Sequence, residues 1–445
     1  MAADAVRQAV LGPPYRTALK PYGRALVELA RSRPEIVCLS GDLTRQCEVD
    51  LFQDEFPDRF VHAGMAEANM IGVAGALARQ GLLPFVHSFG VFTTRRPLDQ
   101  IVNAVAYPRL PVRLVGFMPG VSSPGGPSHQ AIEDVALMRA IPGMTVIDVA
   151  DATETAQVVA AMADVPGPVY LRLKRGEIPV IFPGDHRLSL DRAQVLEWRP
   201  EATGGGAQTL GGAGTAGGGA TGGGAQILGG AVTGGGAQTA GLADTTGGGV
   251  SAGGGVTRGG AQIAGLADTG GGGVSAGGGV TSGGAGITGE AWTSASGTAR
   301  SSDVALLVSG MMVAPALAAA RVLGAAGVVT VVVNVPVIKP LDTATVLAVA
   351  AAAGAVVTAE NHSIIGGLGS AVAETLAEAG LGRPLRRIGL ADTFAEGARD
   401  APYLFTKYGL STQHIVDTAW SVLGRPGPSP RSPTLAANAD EYAPV

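Results

Sequence analysis
The chain has 445 residues and a formal net charge of −5, room for two or three domains but no basic excess of the kind that nucleic acid or an anionic membrane demands of a partner. Its two cysteines, Cys38 and Cys47, exclude a disulfide scaffold and any multi-cysteine zinc site. The opening MAADAVRQAVLGPPYR holds no uninterrupted apolar core, and nothing later reads as a spanning helix, so a soluble cytoplasmic protein is expected.

After an N-terminal arm (1–14), Pro21 opens a helix, since proline suits a first turn. EIVCLSGDL (35–43) predicts an apolar strand with Asp42 near its end. RFVH (59–62) is a short strand leading to a turn at Gly64, and the helix that follows carries one acid, Glu67, on its first turn. Ala66, Ala68, Gly72, Ala74, Gly75 and Ala76 give that helix little bulk, which predicts close approach to another backbone. Pro84–Ser88 is a strand, followed by the aromatic pair Phe89 and Phe92. LDQIVNAVAYP reads as a helix and PVRLVGF (111–117) as a strand; a Gly/Pro/Ser loop then leads to His129 at the start of a further helix. MTVIDVA (144–150) is a strand, Asp151 and Glu154 resemble a capping box, and PVYLRLKR (168–175) is the last strand. Strands alternating with helices at this spacing predict a doubly wound parallel sheet over residues 15–190. A carboxylate with aromatics nearby, at the carboxyl ends of such strands, marks a ligand site.

Residues 191–302 read as a Gly-rich repeat linker. Of the 69 glycines, 39 fall within 201–300, and residues 235–258 recur as 259–282 with three differences. Each copy has too little apolar surface to offset a backbone ordering cost of roughly 1–2 kcal/mol per residue, so a disordered insertion is expected rather than a solenoid. From Asp303 a second, smaller parallel α/β domain runs to residue 424, and 425–445 is a Pro-rich tail expected to be disordered.

Taken together, SGDL (40–43), FVHAGMAEANMIGVAGALARQG (60–81), Phe89 and Phe92 with DQI (99–101), GGPSHQAIEDVALMRAIPGM (125–144), ENHSIIGGLGSAVAE (360–374) and YGLS (408–411) resemble the C-terminal half of transketolase, in the form split into two polypeptides. Deoxyxylulose-phosphate synthases and the beta subunits of 2-oxo-acid dehydrogenases share the same two-domain plan. The resemblance implies a pyrimidine-binding domain and a C-terminal domain, thiamine diphosphate as cofactor, and transfer of a two-carbon ketol unit from a ketose to an aldose acceptor. The alternatives are the beta subunit of a 2-oxo-acid decarboxylase, or a non-catalytic assembly paralogue.

By the same resemblance Glu67 contacts N1′ of the aminopyrimidine. A proton shared there favours the imino form of the 4′-amine, which can take the thiazolium C2 proton, the cofactor doing the carbanion chemistry. The competing reading is an acid favoured by the helix dipole. Phe92 and Phe89 match aromatics flanking the pyrimidine, against plain core packing, and Asp42 matches an acid near the cofactor, against a turn cap. His129 matches a histidine of the substrate channel, against a helix-start cap. Arg175 resembles an arginine that holds an acceptor phosphate, against an ordinary surface arginine. His87 and His362 are placed near the cofactor, the substrate or the interface, against structural roles.

Two positions depart from the family. Phe117 stands where ordinary transketolases have a substrate-contacting histidine, and Gly125 where they have an aspartate, which implies a different or less phosphorylated acceptor. No Gly-Asp-Gly…Asn signature for magnesium and diphosphate is present, and no metal ligands are assigned. The resemblance therefore implies an N-terminal transketolase subunit that holds Mg2+ and the diphosphate, sharing the cofactor in an α2β2 heterotetramer.

Overall fold
The computed structural model describes residues 15–198, 208–209 and 302–432. The first domain is built on strands Ile36–Ser40, Phe60–His62, Leu83–Phe89, Arg113–Phe117, Thr145–Asp148 and Val169–Leu173, all mutually parallel. Their spatial order runs Thr145–Asp148, Val169–Leu173, Arg113–Phe117, Leu83–Phe89, Ile36–Ser40, Phe60–His62. The period of two along these strands splits the core. Cys38, Phe85, Val115 and Leu171 join Tyr22 and Leu26 of the Pro21–Ser32 helix and Val158 of the Ala152–Ala163 helix on one face. Leu39, Val86, Leu114 and Tyr170 join Met70, Ile71 and Ala74 of the Glu67–Arg79 helix on the other.

The close approach expected of that small-residue helix is present. A Cβ on Gly75 would stand 2.6 Å from the carbonyl oxygen of Ala104, in the π-helical segment Ile101–Ala106. Pro21 occupies the first turn of its helix, and Asp151 caps its own by accepting from the Glu154 N–H at 2.8 Å.

The second domain carries strands in the order Gln208–Thr209, Gln194–Trp198, Thr330–Asn334, Ser302–Val308, Ala353–Ser363, Leu385–Leu390. The last four are parallel, whereas Gln194–Trp198 runs antiparallel to Thr330–Asn334 and Gln208–Thr209 antiparallel to it in turn. Val337–Lys339 crosses over and pairs antiparallel with Thr145–Asp148 of the first sheet. The two large sheets are thus mixed, not purely parallel, because strands at a sheet's margin can reverse without a crossover helix.

Two boundaries move. Residues 194–198 belong to the second sheet rather than to the linker: Leu196 pairs with Val332 and is buried in that domain's core. Residues 425–432 are fastened to the final Thr412–Val422 helix rather than free, with the Ser432 N–H donating to Gln413 Oε1 at 2.8 Å and Gln413 Nε2 donating to the Pro430 carbonyl at 3.1 Å. The N-terminal arm, nearly all of the glycine block and the last thirteen residues lie outside the described residues.

A buried ionic network joins the domains. Arg172, 1 % exposed, donates to Asp134 through Nε at 2.8 Å, to Asp148 through Nη1 at 2.8 Å and to the Asn361 carbonyl at 3.0 Å. Tyr170 adds its hydroxyl to Asp134 at 2.6 Å, and Ser309 donates to Asp148 at 3.0 Å. His362 sits in the same junction. Its Nδ1–H donates to the carbonyl of its neighbour Ser363, which leaves Nε2 to accept across the junction from the Ala136 N–H of the first domain.

Candidate active site
The carboxyl ends of neighbouring parallel strands set out the candidate residues in a row, as the crevice rule for such sheets requires. Glu67 follows the strand Phe60–His62 after a turn in which Gly64 takes φ +69°, a conformation open to glycine. Its side chain is 5 % exposed, and Oε1 accepts from Arg96 Nη1 at 2.8 Å. The same guanidinium lies over the ring of Phe92, its central carbon 4.2 Å from the centroid. Phe92 stacks on Phe89, with centroids 6.2 Å apart and planes 18° apart, and meets the imidazole of His129 edge-on at 5.3 Å and 75°. Phe89 is buried while Phe92 and His129 keep part of their surface in water. Glu67, Phe92, Phe89 and His129 therefore form one connected cluster.

Sequence reasoning missed the two arginines that organise it. Arg95 donates to the Glu133 carboxylate and to the carbonyls of Pro127 at 2.9 Å and Gln130 at 3.1 Å, which fastens the loop bearing His129. Arg96 bridges Glu67 and Phe92. The signal was present, since Phe92, in the short Gly90–Thr94 helix, and Arg96, in the turn that follows it, are four residues apart, a spacing that can bring a cation onto an aromatic face. Ser128 Oγ, 2.9 Å from His129 Nδ1, completes the local contacts of the imidazole.

The remaining candidates lie apart from these contacts. Asp42, beyond Ile36–Ser40, and Arg175, beyond Val169–Leu173, are exposed at the same edge of the sheet. His87 is corrected from a substrate contact to a core residue. It is fully buried, accepts from the Tyr22 hydroxyl at Nε2 (2.6 Å) and donates from Nδ1 to the Leu39 carbonyl (3.0 Å). That burial pushes its pKa down to about 4, so the ring is neutral.

The two departures also have a structural reason. Phe117 is fully buried on the Tyr22 face of the sheet, edge-on to that ring at 5.6 Å and paired in register with Phe89, so the position backs the aromatic pair and offers no polar group. A Cβ at Gly125 would stand 2.9 Å from Cβ of His129, and an aspartate there would displace the histidine.

Among the described residues no group of three or more His, Cys, Asp or Glu is placed to hold a metal ion, and no helix is long and apolar enough to cross a membrane. What the cluster offers is an acceptor carboxylate beside an aromatic face. The guanidinium of Arg96 is itself planar and donor-bearing, and it already spans the carboxylate and the aromatic face.

Fold and geometry together define a two-domain α/β chain that sets a nearly buried acid beside aromatic side chains at the carboxyl ends of its first sheet. Residues 15–180 match the transketolase pyrimidine-binding domain and 295–415 the transketolase C-terminal domain. A transketolase-family protein of Sinorhizobium fredii is 33 % identical over 93 % of this chain and 91 % of its own length. A 6-deoxy-6-sulfo-D-fructose transketolase subunit of a Clostridium species is 33 % identical over 91 % of this chain and 94 % of its own. Among solved structures, a split-gene transketolase described as an inactive beta4 tetramer aligns with a TM-score of 0.63 and 31 % identity, over 91 % of this chain and 97 % of that one. The chain belongs to the transketolase family, in the split form whose C-terminal half is a separate polypeptide.

Proposed function
We propose that this chain is the pyrimidine-side subunit of a two-component, thiamine-diphosphate-dependent transketolase that moves a two-carbon ketol unit from a ketose to an aldose. The observation that carries the reading is the pairing of a nearly buried acid, Glu67, with a partly open aromatic face, Phe92, around a single planar cation. When bound, thiamine diphosphate supplies the electron sink needed to break and remake the carbon–carbon bond.

Glu67 holds the proton at N1′ of the pyrimidine, and Phe92 offers a stacking face worth about 0.5–1.5 kcal/mol beyond burial. Phe89, packed behind it, fixes the orientation of Phe92. His129, held by the Arg95-anchored loop, hydrogen-bonds a donor hydroxyl or carbonyl, or passes a proton. Asp42 lies on the cofactor side and Arg175 takes an anionic group of the acceptor. Phe117 and Gly125 remove two polar groups from the acceptor end, which favours an acceptor other than the usual pentose phosphates.

The diphosphate and Mg2+ belong to an N-terminal transketolase subunit, most simply in an α2β2 assembly. Two comparisons support a partner: the Clostridium relative is named as a subunit, and the split-gene relative is described as inactive as a tetramer of beta chains. The test is reconstitution with that N-terminal subunit and an assay of ketol transfer. Glu67→Gln is expected to lower turnover at least a hundredfold with assembly intact; a variant complex as active as the unchanged one would end the proposal.

A further inference from the structure
Arg96 is the one group in the cluster that the proposed chemistry leaves without work, yet it touches both of the elements that chemistry uses. Its Nη1 is 2.8 Å from Glu67 Oε1 and its guanidinium carbon 4.2 Å from the Phe92 centroid. The side chain is 52 % exposed while Glu67 is 5 % exposed, so the cation comes in from solvent and closes over an acid already seated in the protein. Its neighbour Arg95 is different in kind, held by Glu133 and two loop carbonyls. Arg96 is tied to Glu67 and Phe92 and is long enough to swing clear of both.

We propose that Arg96 occupies the pyrimidine subsite in the free subunit, a plug that takes the place of the aminopyrimidine until the ring displaces it. This rests on the assignment of Glu67 and Phe92 to that ring. A guanidinium and an aminopyrimidine that has taken up a proton at N1′ make the same two demands, a donor aimed at a carboxylate and a flat face laid on an aromatic. The two occupants exclude one another. The apparent affinity of the free chain for the ring is then lowered by the fraction of molecules in which the plug is out. An ion pair with one exposed partner and one cation–π contact are each modest, so the plug is readily displaced. It also keeps Glu67 from standing as an unpaired, nearly buried carboxylate before the partner subunit arrives.

The test is calorimetric titration of the full chain at pH 6 with 4-amino-5-hydroxymethyl-2-methylpyrimidine, the aminopyrimidine half of the cofactor, at a pH where the proton that Glu67 and N1′ share is supplied. Arg96→Ala is expected to bind it on the order of tenfold more tightly than the unchanged chain, and Arg96→Lys to fall between, because lysine keeps the charge and loses the planar face. Raising the salt should tighten binding to the unchanged chain, whose plug is an ion pair open to solvent, and leave the Arg96→Ala chain unaffected. Equal or weaker binding by Arg96→Ala, or no binding by it at all, would overturn the plug. Either result would leave the Glu67→Gln turnover assay in the assembled complex untouched. If instead Arg96→Ala/Glu67→Gln binds the probe as well as Arg96→Ala does, the assignment of Glu67 to the pyrimidine itself fails.

Discussion

The imidazole of His129 stands edge-on to the ring of Phe92, centroids 5.3 Å apart and planes at 75°. One aromatic thus serves two neighbours, offering its face to Arg96 and supporting the histidine of the loop. Phe92→Ala should therefore damage two properties at once. In a complex reconstituted with the N-terminal subunit, cofactor affinity is expected to fall about 2- to 12-fold, the equivalent of a stacking contribution of about 0.5–1.5 kcal/mol. The loosened His129 should also raise KM for the donor. Phe92→Tyr should restore both, and a Phe92→Ala complex with unchanged cofactor affinity would remove Phe92 from the site.

Arg172 is the hub on which the two domains meet, and removing it strands two buried acids. Arg172→Met leaves Asp134 and Asp148 without their cation and should cost about 3–5 kcal/mol. Ser309→Ala removes a single hydroxyl from the rim of the same network and should cost about 1 kcal/mol. Urea denaturation of the full chain measures both. A loss in Arg172→Met no larger than in Ser309→Ala would show that the network does not hold the domains together.

His87 and Glu48 pull the pH dependence of stability in opposite directions. Burial lowers His87 from 6.5 to about 4, so its contribution is complete above pH 6.5 and is lost as pH falls towards 4. Burial raises Glu48 from 4.5 to about 7, so its contribution is complete below pH 4.5 and is lost as pH rises towards 7; the hydrogen bond it accepts from the Gly23 N–H at 3.0 Å opposes the shift only in part. Each is worth roughly 3 kcal/mol at most. Relative to the unchanged chain, His87→Gln should lose stability as pH climbs from 4 to 6.5, and Glu48→Gln should gain it between 4.5 and 7. Urea midpoints across that range check the signs; parallel profiles for all three proteins would refute them.

Gly75→Ala places a methyl 2.6 Å from the Ala104 carbonyl oxygen. Backbone cannot yield there without separating the Glu67 helix from the Ile101–Ala106 segment, so a loss of about 1–3 kcal/mol is expected. Gly72→Ala, on the same helix with open space around it, should be neutral or slightly stabilising through helix propensity. Thermal melts of the two variants distinguish close packing from a general intolerance of substitution.

Much of this was written in the sequence. Short, near-continuous apolar runs such as IVCLS and VYLRL marked the strands of the first sheet, and the small residues after Glu67 marked a helix pressed against another backbone, because side-chain polarity and volume are local properties. The acid on the first turn and the aromatic pair beyond the next strand were legible for the same reason. What the residues alone did not disclose depended on partners distant in the chain. The antiparallel strand Gln194–Trp198 was hidden against the glycine block because the long strand it pairs with lies more than a hundred positions away, at Thr330–Asn334. His87 looked like a site histidine until Tyr22 and Leu39 took both of its nitrogens. Arg96 went unremarked in the sequence, because only the fold carries Glu67, twenty-nine residues earlier, to within a hydrogen bond of it. Composition and periodicity select which groups a chain can offer; only the packed backbone decides which of them face one another, since burial and hydrogen-bond satisfaction are settled between elements and not within them.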